Sequence, residues 1–244
     1  MFVLIIYCFH SFISFIEIER DSEKSRFDKL YSGFIMVSHV LVVLLIAVVT
    51  YAAVPGSSLF SWHPFLMTVA FAGLFTEAIL IFNSHSSLLV TKNESAKIRW
   101  HLWMQMGGLA TVTAGFLVIW VNKEKSNKDH FTTWHGLLGV VAVAYCFLQI
   151  LAGVTLLLPA KMFSATPLPM HRMKTLHTLS GLALYLTLAV TFFLGLNSAF
   201  FVRTVTNQFV YYGCWIAVLL LTAVVGSQSS ASLQHRLSYW TSRR

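Results

Sequence analysis

Six apolar stretches alternate with short polar connections along the chain, roughly Gly33 to Val54, Phe60 to Phe82, Trp100 to Val121, Phe131 to Leu158, Leu176 to Phe201 and Val205 to Gly226. Each supplies the ~20 residues that cross a hydrocarbon layer as a helix, the form in which a segment satisfies its own backbone polar groups. The pattern predicts an all-α integral membrane protein with six transmembrane helices. Among 17 Lys and Arg and 9 Asp and Glu, only Glu77 falls inside a stretch. The connections are too short for a separate nucleotide-binding or catalytic domain, so any chemistry belongs inside the bundle. The expected division is an N-terminal extension over residues 1–30, a six-helix domain over 31–227 and a basic tail over 228–244.

Composition agrees, with 57% hydrophobic and 11% charged residues and a mean hydropathy of +0.71. The net charge of +8 matters through its distribution. With six spans, the N-terminal segment, the loops after spans two and four and the C-terminal tail share one face. They carry Arg20, Lys24, Arg26, Lys29, Lys92, Lys97, Arg99, Lys161, Arg172, Lys174, Arg236, Arg243 and Arg244, against Lys123, Lys125, Lys128 and Arg203 opposite. The positive-inside rule then puts both termini in the cytosol, and the charge reads as topology rather than as a nucleic-acid surface. Met1 to Ile16 is a further apolar run, slightly short to span and without the basic start of a signal peptide, and is read as an interfacial extension. Cys8, Cys146 and Cys214 form neither a CxxC pair nor a CxxCH site, which excludes covalently attached haem. Cys146 and Cys214 read as small buried side chains. No glycine-rich phosphate loop follows a strand, so no dinucleotide site is expected.

Ionisable side chains inside a bilayer are costly and mark function by default. His63, His101, His135 and His177 sit near the N-terminal ends of spans two, three, four and five. Because successive spans reverse direction, His63 and His135 share the non-cytosolic level, and His101 and His177 the cytosolic level. Two per level, on helices facing across a four-helix bundle, supply two axial imidazoles to each of two haems. Positions 14 residues further on, Glu77, Gly115, Gln149 and Thr191, fall on nearly the same helix face at the depth of the other layer, about 21 Å away at 1.5 Å per residue. Gly115 and Thr191 are therefore expected beside the non-cytosolic layer, and Glu77 and Gln149 beside the cytosolic one. Gly108, Gly139, Ala142, Cys146 and Gly181, at helical spacings between them, leave room for a porphyrin. Small residues also line ordinary helix contacts in lipid, and membrane histidines also line ion paths. A six-helix proton or metal transporter is thus the rival reading, although the midplane Pro and Gly of broken helices are not evident. His39, in span one with no histidine in span six, reads as making a local hydrogen bond. His130 and His171 lie close enough to touch substrate, while His10, His85 and His235 fall in tails or loops.

The run Pro55-Gly-Ser-Ser-Leu-Phe-Ser-Trp-His63-Pro64, followed by Arg99-Trp-His101, Trp134-His135-Gly136 and Leu176-His177 in successive spans, strongly resembles the cytochrome b561 family, nearest to its short, domain-containing branch. The resemblance runs from about Lys29 to Arg236. It implies six helices, with helices two to five around two non-covalent haem b groups, one held by His63 and His135 and the other by His101 and His177. It implies a transmembrane oxidoreductase that takes electrons from cytosolic ascorbate and delivers them to monodehydroascorbate or a ferric chelate on the far side. The setting would be an endomembrane (endoplasmic reticulum or vesicle) or the plasma membrane, with a second copy of the chain as a further candidate partner.

Bis-histidine ligation leaves no open axial position, which argues against oxygen chemistry at the iron. Ascorbate is an anion, so its mouth should be cationic. Lys97 and Arg99 precede His101, and Arg172 and Lys174 precede His177; an Arg fork can hold an enediolate oxygen pair and Lys a point charge. The same four residues equally suit positive-inside topology or contacts to haem propionates. Lys123, Lys125 and Lys128 read as a solvated turn, with attraction of an anionic acceptor as the alternative. Glu77, costly if ionised alone, should be protonated or paired. Two roles are open to it: acceptor of the proton that ascorbate releases, or a structural hydrogen bond to Gln149 or a neighbouring backbone group.

Overall fold

The computed structural model describes residues 22–83, 93–157 and 169–241. The run Met1–Ile16, with Cys8 and His10, lies outside the described residues, as do His85, Lys92 and Lys161. Helices are α1 (Ser22–Ala53), α2 (Trp62–Leu80), α3 (Glu94–Lys125), α4 (Trp134–Thr155), α5 (Met170–Leu196), the short α6 (Ala199–Thr204) and α7 (Gln208–Thr241). All but α6 are long and apolar enough to cross a membrane, and the chain is a multi-pass membrane protein of six spans.

The helices do not end where the hydrophobic runs end, because apolarity marks lipid contact whereas a helix stops where a cap or a turn stops it. α4 starts at Trp134 rather than Phe131, with the Thr133 side chain accepting from Gly136 N–H at 3.2 Å, and Phe131 has a φ of 55°, outside the helical region. Span five, expected to reach Phe201, stops at Leu196 and restarts as α6, capped by Ser198. α7 begins at Gln208, not Val205, and continues through the expected tail to Thr241. α3 starts where the Asn93 side chain accepts from the Ser95 and Ala96 N–H groups. Before α2, Gly56 takes a φ of 95°, and the Ser61 hydroxyl accepts from Gly56 N–H at 3.1 Å while donating to Ser58 O at 2.7 Å. This tied turn brings Trp62, His63 and Pro64 into the first turn of α2, where proline is tolerated.

Cross-helix hydrogen bonds make neighbours antiparallel. The start of α2 meets the end of α3 (His63 to Gly115), the start of α3 meets the end of α2 (His101 to Ala78), and α4 and α5 do the same through His135 and Thr191. The membrane face at which α1 begins is termed proximal, and the other distal. Leu45, Phe71, Tyr185, Val218 and Leu221 bury one core shared by α1, α2, α5 and α7, and Phe75, Val112, Val143 and Cys146 a second within α2 to α5. Cys146 and Cys214 are free and buried, as expected of small apolar side chains.

One feature of α2 has no signal in the apolar pattern. Val69–Phe75 is a π turn, at whose end both the backbone N–H and the hydroxyl of Thr76 donate to Phe71 O, five residues back. Such a turn accommodates one residue more than an α turn and rotates everything beyond it.

Candidate functional site

His63 donates from Nδ1 to Gly115 O at 3.0 Å, His135 to Thr191 O at 2.9 Å and His101 to Ala78 O at 2.8 Å. A carbonyl oxygen can only accept, so each Nδ1 carries a proton and each Nε2 is the nitrogen left to act as a ligand in the neutral ring. The rings of His63 and His135 come together with centroids 6.1 Å apart and planes at 82°. Around them lies a cavity of about 380 Å³, walled by Met67, Phe71, Val112, Gly139, Ala142 and Phe192 among others, and reaching Trp120, Lys123, His130 and Phe131 at the α3–α4 turn.

At the proximal level His101 and His177 stand on α3 and α5, and their shared depth rests on partners at the far ends of α2 and α4. His177 is held differently. The Gln149 amide nitrogen lies 2.8 Å from His177 O and 3.2 Å from its Nδ1, while Ser180 Oγ donates to Gln149 Oε1 at 2.7 Å.

Three of the four positions 14 residues beyond a histidine, Gly115, Gln149 and Thr191, thus meet the histidine of the neighbouring helix. In α2 the residue is Ala78, 15 beyond His63. The π turn explains the offset: its extra residue leaves Glu77 one position short of that contact. Glu77 Oε1 instead lies 2.7 Å from His39 Nδ1, across 38 residues of sequence. The expectations of a Gln149 or backbone partner for Glu77 and a local partner for His39 are both corrected by this contact, which joins α1 to α2.

Two glycines escaped the sequence reading. A Cβ on Gly195 would sit 3.1 Å from His135 Cε1, and one on Gly153 would sit 3.0 Å from His177 Cε1, so each ring of the α4–α5 hairpin lies on a glycine of the partner helix. The signal was available, since each glycine follows the histidine of its own helix by 18 residues. Of the small residues expected to leave porphyrin space, Gly139 and Ala142 line the cavity. Gly108 is covered by the Phe75 ring and Gly181 by the Gln149 amide.

Among the expected cations, Lys97 pairs with Glu94 at 2.9 Å, while Arg99, Arg172 and Lys174 are exposed near the starts of α3 and α5. On the distal side Lys123 Nζ donates to Asp129 O at 2.7 Å. His130 lies 2.8 Å from Glu124 and stacks on Trp120 at 3.9 Å. Lys125 and Lys128 are exposed.

Antiparallel spans with two imidazoles facing each other between them define a helical, multi-pass membrane protein. Residues 62–202, α2 through most of α6, match the model of eukaryotic cytochrome b561. The chain is similar to a cattle (Bos taurus) protein named transmembrane reductase CYB561D2, at 35% identity over 91% of this chain and 97% of that one, and to its mouse (Mus musculus) counterpart at 34% over the same shares. It is also similar to a mouse protein named probable transmembrane reductase CYB561D1, at 30% identity over 87% of this chain and 90% of that one. The chain belongs to the cytochrome b561 family.

Membership implies b-type haem, and the distal residues fit it. Two metal–nitrogen bonds of about 2 Å each, with about 1 Å of each imidazole ring, bring axial ring centroids to about 6 Å, against the 6.1 Å between His63 and His135. An apolar cavity of about 380 Å³ falls within the range of cofactor sites.

Proposed function

We propose that the chain is a transmembrane reductase that carries single electrons from cytosolic ascorbate to monodehydroascorbate or a ferric chelate beyond the membrane, in an endomembrane or the plasma membrane. The proximal face is cytosolic in this reading, as are both termini. His63 and His135 would hold one haem b, and His101 and His177 a second. Haem held there by these imidazoles would supply one-electron exchange.

The chain's own residues do the rest. The carbonyls of Gly115, Thr191 and Ala78 hold three imidazoles with Nε2 ready as ligand, a supporting contact that fixes tautomer and ring orientation. Gln149 must turn its amide oxygen toward His177 Nδ1 before His177 Nε2 can ligate, because a neutral imidazole ligating through Nε2 carries its proton on Nδ1. Arg99, Arg172 and Lys174 draw an ascorbate anion to the proximal mouth. Lys97, tied to Glu94, contributes less than its charge suggests. On the distal turn Lys125 and Lys128 meet an anionic acceptor. Glu77 accepts the proton that ascorbate gives up with its electron.

The observation that carries the reading is the His63–His135 pair, two imidazoles on different helices with ring centroids 6.1 Å apart inside an apolar cavity. Purified protein should show a reducible Soret band with two haems per chain, and ascorbate outside vesicles that expose the proximal face should reduce a ferric chelate trapped inside. A colourless, stable protein would support the proton or metal transporter instead.

A further inference from the structure

α1 carries none of the four paired imidazoles, yet it places an ionisable side chain, His39, against the carboxylate that lies within a span. His39 Nδ1 is 2.7 Å from Glu77 Oε1, with the two side chains 10% and 14% exposed. His39 lies six residues inside the apolar stretch that begins at Gly33, and Glu77 five residues before the end of the stretch at Phe82, so each is about 8 Å along its helix from the proximal boundary. The next residue, Ala78, gives its carbonyl to His101, which brings the pair to the depth of the proximal layer.

The surrounding elements contribute few other charges. From α5, Tyr185 shares a 2.8 Å hydrogen bond with Thr76, the residue before Glu77. α3 contributes His101 through the Ala78 carbonyl. α7 brings neutral groups to this end, Gln228, which accepts from Asn83 at 2.8 Å, and the buried Ser229. The cations at the same end are Lys97, Arg99, Arg172 and Lys174 in the first turns of α3 and α5.

We propose that the His39–Glu77 pair is a proton-holding site that takes up one proton from the proximal aqueous phase for each electron entering the His101 layer. One proton lies in the Nδ1–Oε1 hydrogen bond, and the pair holds the incoming proton as imidazolium–carboxylate. The added electron and added proton leave the local charge unchanged, which matters where the bilayer screens little. When the electron leaves, the proton returns to the same phase. This rests on the ascorbate reading above and extends it: an ascorbate monoanion loses one electron and one proton to become the radical anion, and both have a destination.

The test is a spectroelectrochemical titration of the purified, haem-loaded full chain at a series of pH values, with wild type, His39→Gln and Glu77→Gln. In wild type one midpoint potential should fall as pH rises. In both variants that dependence should be lost, while haem content and the potential of the other layer stay unchanged. A wild type with no pH-dependent potential, or variants that retain the dependence with haem fully bound, would overturn the proposal. Should neither variant fold, the reduced-minus-oxidised infrared spectrum of wild type labelled with ¹⁵N-histidine decides, since imidazolium bands must appear on reduction and their absence refutes the site. Wild type without haem, or inert to ascorbate, would instead defeat the underlying reading of function.

Discussion

His177 differs from the other three imidazoles in what its Nδ1 meets, an amide nitrogen of Gln149 rather than a backbone carbonyl. Gln149→Leu should therefore weaken haem retention in the proximal layer about tenfold, the usual cost of losing the group that orients a ligand, with the distal spectrum untouched. Haem titration of the stripped protein measures this, and equal affinity in wild type and variant would show that Gln149 serves packing alone. His135→Leu should halve the haem content by emptying the distal layer. Arg99→Gln and Lys174→Gln should slow ascorbate reduction and flatten its salt dependence, because attraction between exposed charges is screened over about 8 Å at physiological ionic strength. A neutral reductant tested in the same samples should be unaffected, and equal slowing of both donors would remove these cations from the donor mouth. The histidines were legible in the sequence because an ionisable side chain stands out in an apolar run. Three of their four partners, Gly115, Gln149 and Thr191, were legible as the positions 14 residues along, and Ala78 was not, because the π turn shifts α2 by one residue.

Elements were legible as spans and less so as helices. Hydrophobic runs located all six crossings, but α4 begins at Trp134 under the Thr133 cap and α7 runs on to Thr241, since side-chain caps and main-chain turns set the ends. The π turn of α2 was hidden for a related reason. Neither Thr76 nor Gly73 is unusual in a membrane helix, and the five-residue hydrogen bond to Phe71 exists only once the chain is folded. That turn gives an element-level prediction. Deleting Gly73 should let α2 close as a regular α-helix with its far end unmoved, since the deletion removes the one residue that the π turn absorbs and brings Ala78 to 14 positions beyond His63, the spacing of the other three helices. Glu77 then keeps its face toward His39, and the expected result is a retained pH dependence of the proximal potential with both haems bound. Loss of that dependence with the distal haem retained would show that the π turn itself, and not only the register beyond it, shapes the proximal layer.

For the whole molecule, the thirteen cationic residues on one face against four on the other predict that tags at either terminus react only from the cytosol, while a tag beside Lys125 is protected in sealed vesicles. Both termini exposed on the far side would reverse the direction of electron flow. The family model covers α2 to α5 and leaves out α1 and α7. Within that inner bundle the support of the imidazoles bears on how the sequence can drift. Gly115, Ala78 and Thr191 contribute main-chain oxygens, which no substitution removes, so constraint there falls on side-chain size and leaves hydrogen-bonding capacity free. Gln149 supports its histidine with a side chain. Substitutions at that position can therefore alter one layer without touching the other, which gives selection a single-residue handle on the difference in driving force between the two ends of the molecule.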